Sequence, residues 1–267
     1  MRRTRAVRKS MISFLDHLTL AGSAAAYETL LGRRSVDGRL QTGNVGLTFS
    51  SRGAALSAMV FATSALDNAA NLLERRGVAT TRGATLELTT LATRGVPIAL
   101  VERSERPALS PANVDEAAAV SSLDHIVVRS PNPERAIAFY AGRLGLDLRL
   151  DRSNPQWGTR LLFFRCDDLV VEIAHDLRRG VSDDPDKLWG LSWRVPDTAK
   201  AQTRLKDAGI DVTDVRDGRR SGSTMCELGF CITIWRRITA AAQDLPAPVV
   251  PRMAKCLPSS SSTRAWA

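Results

Sequence analysis

The residues that could do chemistry are few, and they repeat. The chain has 267 residues but only three histidines and two tyrosines. Two of the histidines share one context: Phe14-Leu15-Asp16-His17 is echoed by Ser122-Leu123-Asp124-His125. Downstream, Tyr27 is followed by Leu31-Gly32 and Tyr140 by Leu144-Gly145 at the same offsets, so the chain carries an internal repeat. His125 is the one imidazole in an otherwise apolar stretch, where it can ligate a metal, move a proton or simply be a satisfied core residue. Glu172 stands alone in Leu169-Val170-Val171-Glu172-Ile173-Ala174, and a buried carboxylate there is costly unless a cation or a donor meets it. Glu102 ends the run 98–102, where contact with solvent is the plainer explanation. His175 lies three residues past Glu172, so strand alternation sends it to the opposite face, and it is left out of the candidate site.

The elements that must position these residues follow a repeated plan. Residues 14–20 read as a strand, 24–31 as a helix closed by Gly32, and 45–49 as a strand after the Gly43-Asn44 turn signal. A second unit begins with a strand at 58–61. Ser64 is a candidate cap for a helix over 65–76, and strands follow at 85–91 and 96–101. Residues 105–120 read as a linker. The plan then repeats: a strand at 123–128, a helix at 134–143 capped by Asn132 or Ser130, and a hairpin of 161–165 with 169–174. The last unit has a strand at 189–195, a helix at 198–208 capped by Asp197, and strands at 211–215 and 231–235. The 152–160 segment with Trp157, and 218–223, read as loops that could line a site.

Composition removes several classes. The net charge is +9, but residues 1–10 carry five of those charges and 243–267 a further two net, which leaves +2 for the body. Such a body has no footprint for a phosphate backbone, so nucleic acid is not an expected partner. Cys166, Cys226, Cys231 and Cys256 contain no C-x-x-C pair, which argues against a zinc or disulfide framework and for a reducing compartment. No apolar stretch approaches the length of a membrane span, and Asp16-His17 interrupt the only signal-like start. The sequence therefore reads as a cytoplasmic protein with no membrane partner, flanked by a basic tail (1–10) and a Pro/Ser-rich tail (241–267) that lack core-forming pattern.

Four strand-helix-strand units, with Leu-Asp-His opening two of them and Ala138-Phe139-Tyr140 and Leu144-Gly145 in order, resemble the vicinal-oxygen-chelate superfamily of glyoxalases, bleomycin-resistance proteins and ring-cleaving dioxygenases. The resemblance covers roughly 12–237. It implies an α+β fold of four βαβββ modules in two glyoxalase-like domains, 11–104 (degenerate) and 121–240, each with a cup-shaped mixed sheet. It also implies a divalent metal, Fe, Mn, Ni or Zn, at the cup floor. The family draws ligands from the opening and closing strands. Here the opening strands offer His17, Ala58, His125 and Gly190; the closing strands offer Thr48, Glu102, Glu172 and a residue near Trp235 or Arg236. The candidate ligands are thus His125, Glu172, Glu102 and His17, with His125 and Glu172 forming the best pair. If neighbouring modules share a cup, His17 goes with Glu102 and His125 with Glu172. If the second and third modules pair instead, Glu102, His125 and Glu172 meet; the short-range arrangement is the expected one.

Two functions follow from the resemblance. One is metal-dependent lyase, isomerase or dioxygenase chemistry on a small molecule. The other is a metal-free binding or resistance protein, favoured by the ligand positions that hold no donor. A homodimer is compatible with both.

Overall fold

The structure, a computed structural model, describes residues 11–50, 56–218, 222–228 and 232–236. The two tails therefore lie outside the described residues. The first half runs β1 (Phe14–Ala21), α1 (Ala24–Leu31), β2 (Arg39–Gln41), β3 (Gly46–Ser50), β4 (Leu56–Thr63), α2 (Leu66–Arg75), β5 (Thr80–Arg82), β6 (Leu86–Leu88), α3 (Thr90–Thr93) and β7 (Ile98–Glu102). The second half runs β8 (Ser122–Arg129), α4 (Pro133–Ile137, continuing as a π-helical turn over Ala138–Arg143), β9 (Asp147–Asn154), β10 (Thr159–Cys166), β11 (Leu169–Asp176), β12 (Lys187–Arg194), α5 (Thr198–Asp207), β13 (Arg216–Asp217), β14 (Thr224–Leu228) and β15 (Ile232–Arg236).

The strands make two mixed sheets of cup-shaped, glyoxalase-like α+β type. The first has the order β2-β3-β1-β4-β7-β6-β5, the second β13-β14-β15-β12-β8-β11-β10-β9. Within each, the two opening strands lie side by side and antiparallel, β1 with β4 and β8 with β12. Each closing strand runs parallel to its opening strand, as in β1 with β3 and β8 with β11. Neighbouring modules therefore share a sheet, and Glu102 lies on a different sheet from His125 and Glu172.

The main core lies between the sheets and their helices, holding Leu15, Leu18, Phe61, Leu73, Ile126, Phe164, Val171 and Trp193 among others. Helix starts follow the sequence where a short polar side chain is available. The side chain of Asn132 accepts from the Arg135 amide, and Asp197 accepts from the amides of Ala199 and Lys200. The α2 terminus differs from expectation. No side chain of the residues preceding it caps it; instead Glu102 reaches across from β7 and accepts from the Leu66 amide at 2.8 Å. The expected 85–91 strand is shortened to β6 because 90–93 turn helical. The expected 211–215 strand reduces to a single bridge, Val212 to Leu228. The edge strands β2, β5 and β9 escape the sequence reading: β2 and β5 are only three residues long, and β9 has no buried residue.

The 105–120 segment is held to the first domain by backbone bonds, among them Val120 to Leu31 at 2.8 Å and Ser110 to Gln41 at 2.9 Å, and by one buried cation. Arg33, just past α1, donates to the carbonyls of Val120 (2.6 Å) and Ser110 (2.9 Å) and pairs with Glu116 (2.7 Å). A buried guanidinium needs this many acceptors to offset its desolvation.

Candidate functional site

The repeated Leu-Asp-His motif has a backbone reason. In β1 the ladder to β4 pairs Leu15 with Phe61 and His17 with Val60, so Asp16 is an extra residue. In β8 the ladder to β12 pairs Leu123 with Trp193 and His125 with Ser192, which makes Asp124 the extra residue. Each copy therefore carries a β-bulge at its aspartate. The leucine stays in the main core while Asp and His both leave it. Strict alternation predicts opposite faces for Asp124 and His125, so it is the bulge that brings them together.

In the second sheet the inner face, away from the helices, is apolar: Val127, Leu161, Phe163, Val170 and Ala174 cluster there, with Leu150 and Trp189 packed against them. His125, Glu172 and Ser192 share that face. The parallel register sets Val170 opposite His125 and Glu172 opposite Val127, so the imidazole and the carboxylate sit diagonally across adjacent strands. His125 Nε2 lies 3.7 Å from Glu172 Oε2, and Nδ1 lies 3.8 Å from Asp124 Oδ2. Asp124 is held in turn by Arg194, whose Nη2 lies 2.7 Å from Oδ1. Burial alone pushes the His125 pKa down. The adjacent Asp124 carboxylate, and then the charge of Glu172, outweigh burial and hold it above the ordinary imidazole value, with Arg194 opposing them.

The first sheet repeats the frame without the chemistry. His17 is opposite Gly46 and Thr19 opposite Thr48, the same register as His125 with Val170 and Val127 with Glu172. Thr48 thus stands in the place of Glu172, as the sequence indicates, and its hydroxyl bonds to that of Thr19 at 3.0 Å. Beside His17 the space is filled by Arg39, whose guanidinium lies against Gly46 where any side chain would collide with it. Arg39 donates to the Asp16 carbonyl (2.7 Å) and carboxylate (3.1 Å), and Arg103 lies 2.7 Å from the same carboxylate. His17 Nδ1 is 2.7 Å from Asp16 Oδ2.

Glu102 requires a correction. Its neighbours at two-residue spacing, Ile98 and Leu100, face the helix-side core, and its carboxylate caps α2. The inner-face positions of β7 are Ala99, opposite Val60, and Val101, opposite Ala62. A one-residue offset moves a strand side chain to the other face, so Glu102 does not meet His17. His175 does point away from the inner face, as alternation requires, and its Nδ1 lies 3.1 Å from the Ser130 carbonyl.

Comparison with known proteins follows this geometry. Residues 124–226 match the Glyoxalase/Bleomycin resistance protein/Dioxygenase superfamily model. The match lies within the second half of the chain, and that half is similar to the vicinal-oxygen-chelate superfamily. It is similar to the ethylmalonyl-CoA/methylmalonyl-CoA epimerase of Cereibacter sphaeroides, at 26% identity over 100 residues, which are 35% of this chain and 75% of that protein. A solved catechol 2,3-dioxygenase shares the fold with a TM-score of 0.62 at 17% identity, over 88% of this chain and 97% of the other. The Mn(II)-bound glyoxalase from Novosphingobium aromaticivorans gives 0.60 at 15% identity, over 85% and 83% of the two chains.

Relatives in this superfamily include metal-bound proteins, so the donor set here is the test of fit. The second sheet supplies His125 and Glu172; Gly190 has no donor, and the side chains of Trp235 and Arg236 lie outside the described residues. In the first sheet Thr48 and Arg39 stand at the floor beside His17. Among the described residues no group of three or more His, Cys, Asp or Glu side chains converges to hold a metal ion. Two protein donors leave a divalent ion mostly hydrated and weakly held, so the described residues do not complete a tight metal site in either sheet. No helix among the described residues is long and apolar enough to cross a membrane.

Proposed function

We propose that the protein binds a small molecule on the inner face of its second sheet, with His125 and Glu172 as the polar centre of an apolar wall, and without a tightly held metal. The observation that supports this is the 3.7 Å approach of His125 Nε2 to Glu172 Oε2 on a face otherwise built from Val127, Leu161, Phe163, Val170 and Ala174. A protonated imidazole donates to an oxygen of the bound molecule, while the carboxylate accepts from a hydroxyl or an acidic C–H. The same two groups are a candidate acid and base for proton transfer at a carbon beside a carbonyl. A second reading, metal-dependent lyase, isomerase or dioxygenase chemistry, is favoured by one observation. The same pair occupies the opening-strand and closing-strand positions that the superfamily uses for metal.

Metal analysis of the purified full chain, after growth with Fe, Mn, Ni and Zn, separates the readings. A stoichiometric ion that survives gel filtration overturns the metal-free one. A thermal-shift screen of dicarbonyls, catechols and thiols then tests binding. A compound that stabilises the wild type but neither His125→Ala nor Glu172→Ala supports it, and equal stabilisation of all three counts against it.

A further inference from the structure

A pocket of about 670 Å3 lies where the two domains meet. The first domain lines it with Met11, ahead of β1, and with Leu72 and Arg76 at the end of α2. The second lines it with Leu146 and Asp147 at the start of β9 and with the end of β10 and the turn after it. Met11 and Leu72 are half-buried and Leu146 is buried, so the pocket has an apolar side that is still open to solvent. Small-molecule sites concentrate between domains and combine apolar walls of this kind with a few polar groups.

The charges around this pocket do not cancel. Its charged lining is Arg76, Asp147, Arg165 and Asp167. Both carboxylates are met by arginines outside the lining, Asp147 by Arg149 at 3.0 Å and Asp167 by Arg106 at 2.7 Å. The two lining arginines have no such partner. Arg76 Nη1 donates to the Arg143 carbonyl, and Arg165 Nε donates to the Asp167 carbonyl at 2.9 Å. Among the described residues neither guanidinium makes another hydrogen bond or any ion pair. A carbonyl engages one N–H and leaves the formal charge uncompensated. Arg165 thus keeps both terminal nitrogens, the fork that meets an oxyanion with two parallel bonds.

We propose that this interdomain pocket binds an organic phosphate, its head between Arg76 and Arg165 and its apolar body against Met11, Leu72 and Leu146. Each domain supplies one arginine, so the ligand bridges the two. A phosphate monoester carries close to two negative charges and three acceptor oxygens, which matches two arginines. A monocarboxylate would satisfy one of them, a neutral compound neither, and an organic cation would be repelled. The pocket shares no lining residue with the apolar wall of the second sheet or with His125 and Glu172. It is therefore a second site, independent of the binding reading above.

The experiment is calorimetric titration of the full chain with phenyl phosphate, inorganic phosphate and phenol, which separate the head from the apolar body. Phenyl phosphate is expected to bind about tenfold more tightly than either of the others, a difference of about 1.4 kcal/mol, and to weaken in high salt. Arg165→Gln and Arg76→Gln are each expected to weaken phenyl phosphate about tenfold and to leave phenol unchanged. Arg165 is exposed, so its variant keeps the test valid if Arg76→Gln, which loses a bond between the domains, fails to fold. Equal binding of phenyl phosphate and phenol overturns the anionic part of the assignment. Equal binding of phenyl phosphate and inorganic phosphate overturns the apolar part. Wild-type affinity in Arg165→Gln, with loss in His125→Ala instead, moves the anion to the inner face of the second sheet and overturns the site. Absence of phenyl phosphate binding at millimolar concentration overturns the proposal as a whole and leaves the reading of the second sheet untouched.

Discussion

Asn44 pairs with the backbone of Leu123 as a strand residue would. Its Nδ2 donates to the Leu123 carbonyl at 2.8 Å, and its Oδ1 accepts from the Leu123 amide at 2.8 Å. Beside it the Gly43 amide donates to the Ser121 carbonyl at 2.8 Å, an approach so close that a side chain at Gly43 would press on that oxygen. The β2–β3 turn of the first domain thus holds the strand entering the Asp124-His125 bulge of the second.

Replacing Asn44 by Ala strands two buried backbone groups, so we expect a loss of about 2–4 kcal/mol in urea unfolding. Asn44→Asp keeps only the acceptor and should fall between. A change within error for Asn44→Ala would show that the turn does not support the motif.

Glu102 is expected to matter for stability and not for the site. Glu102→Ala removes the acceptor at the α2 terminus and should cost about 1 kcal/mol. It should leave ligand binding and any metal uptake at wild-type levels, whereas His125→Ala should not. Loss of binding in Glu102→Ala, measured on folded protein, would contradict the placement of Glu102 on the helix side.

The raised pKa of His125 makes stability depend on pH in a defined direction. The folded protein holds that proton more tightly than the unfolded chain does. The contribution is complete below the ordinary imidazole value of 6.5 and is lost as pH rises through the higher folded value. The urea midpoint should therefore decline above pH 6.5 in the wild type and decline less in His125→Gln. Identical profiles would show that His125 is not held protonated by Asp124 and Glu172.

The first sheet should be acid-sensitive through Asp16. Burial raises its pKa, but the bond with His17 and the charges of Arg39 and Arg103 outweigh burial and lower it. That stability is present above the unfolded carboxylate pKa and is lost as pH falls through the folded one. Arg39→Ala should cost about 2–4 kcal/mol at neutral pH, because a buried carboxylate loses a partner, and should move acid unfolding to higher pH. An unchanged acid midpoint would remove Arg39 from this role.

Tyr140 supplies a test with the opposite sign. Its ring is buried against Phe139 and Phe164, with centroids 5.1 and 5.4 Å away, and its hydroxyl has no hydrogen-bond partner among the described residues. Tyr140→Phe should be neutral or stabilising by up to about 1 kcal/mol. A clear loss of stability would reveal a partner for the hydroxyl.

The sequence by itself determined the repeat, the four modules and the alternating strands, and it singled out His125 and Glu172, whose side chains approach to 3.7 Å. Each of these depends on local pattern: an isolated polar residue in an apolar strand, a helical stripe, a short polar residue at a helix start. It also set Thr48 against Glu172 through the resemblance, and the ladders give the two the same register to their opening histidines. What only the tertiary structure decided were matters of a single residue or of distant partners. The bulges that turn Asp16 and Asp124 towards their histidines add one residue to a ladder, and the pairing strand that defines them lies more than forty residues away. Glu102 faced the wrong way for a ligand because strand alternation is exact, whereas a strand boundary read from sequence is not. The guanidinium of Arg39 against Gly46 arises from the ladder between separate strands, and no spacing along the chain records a register between strands.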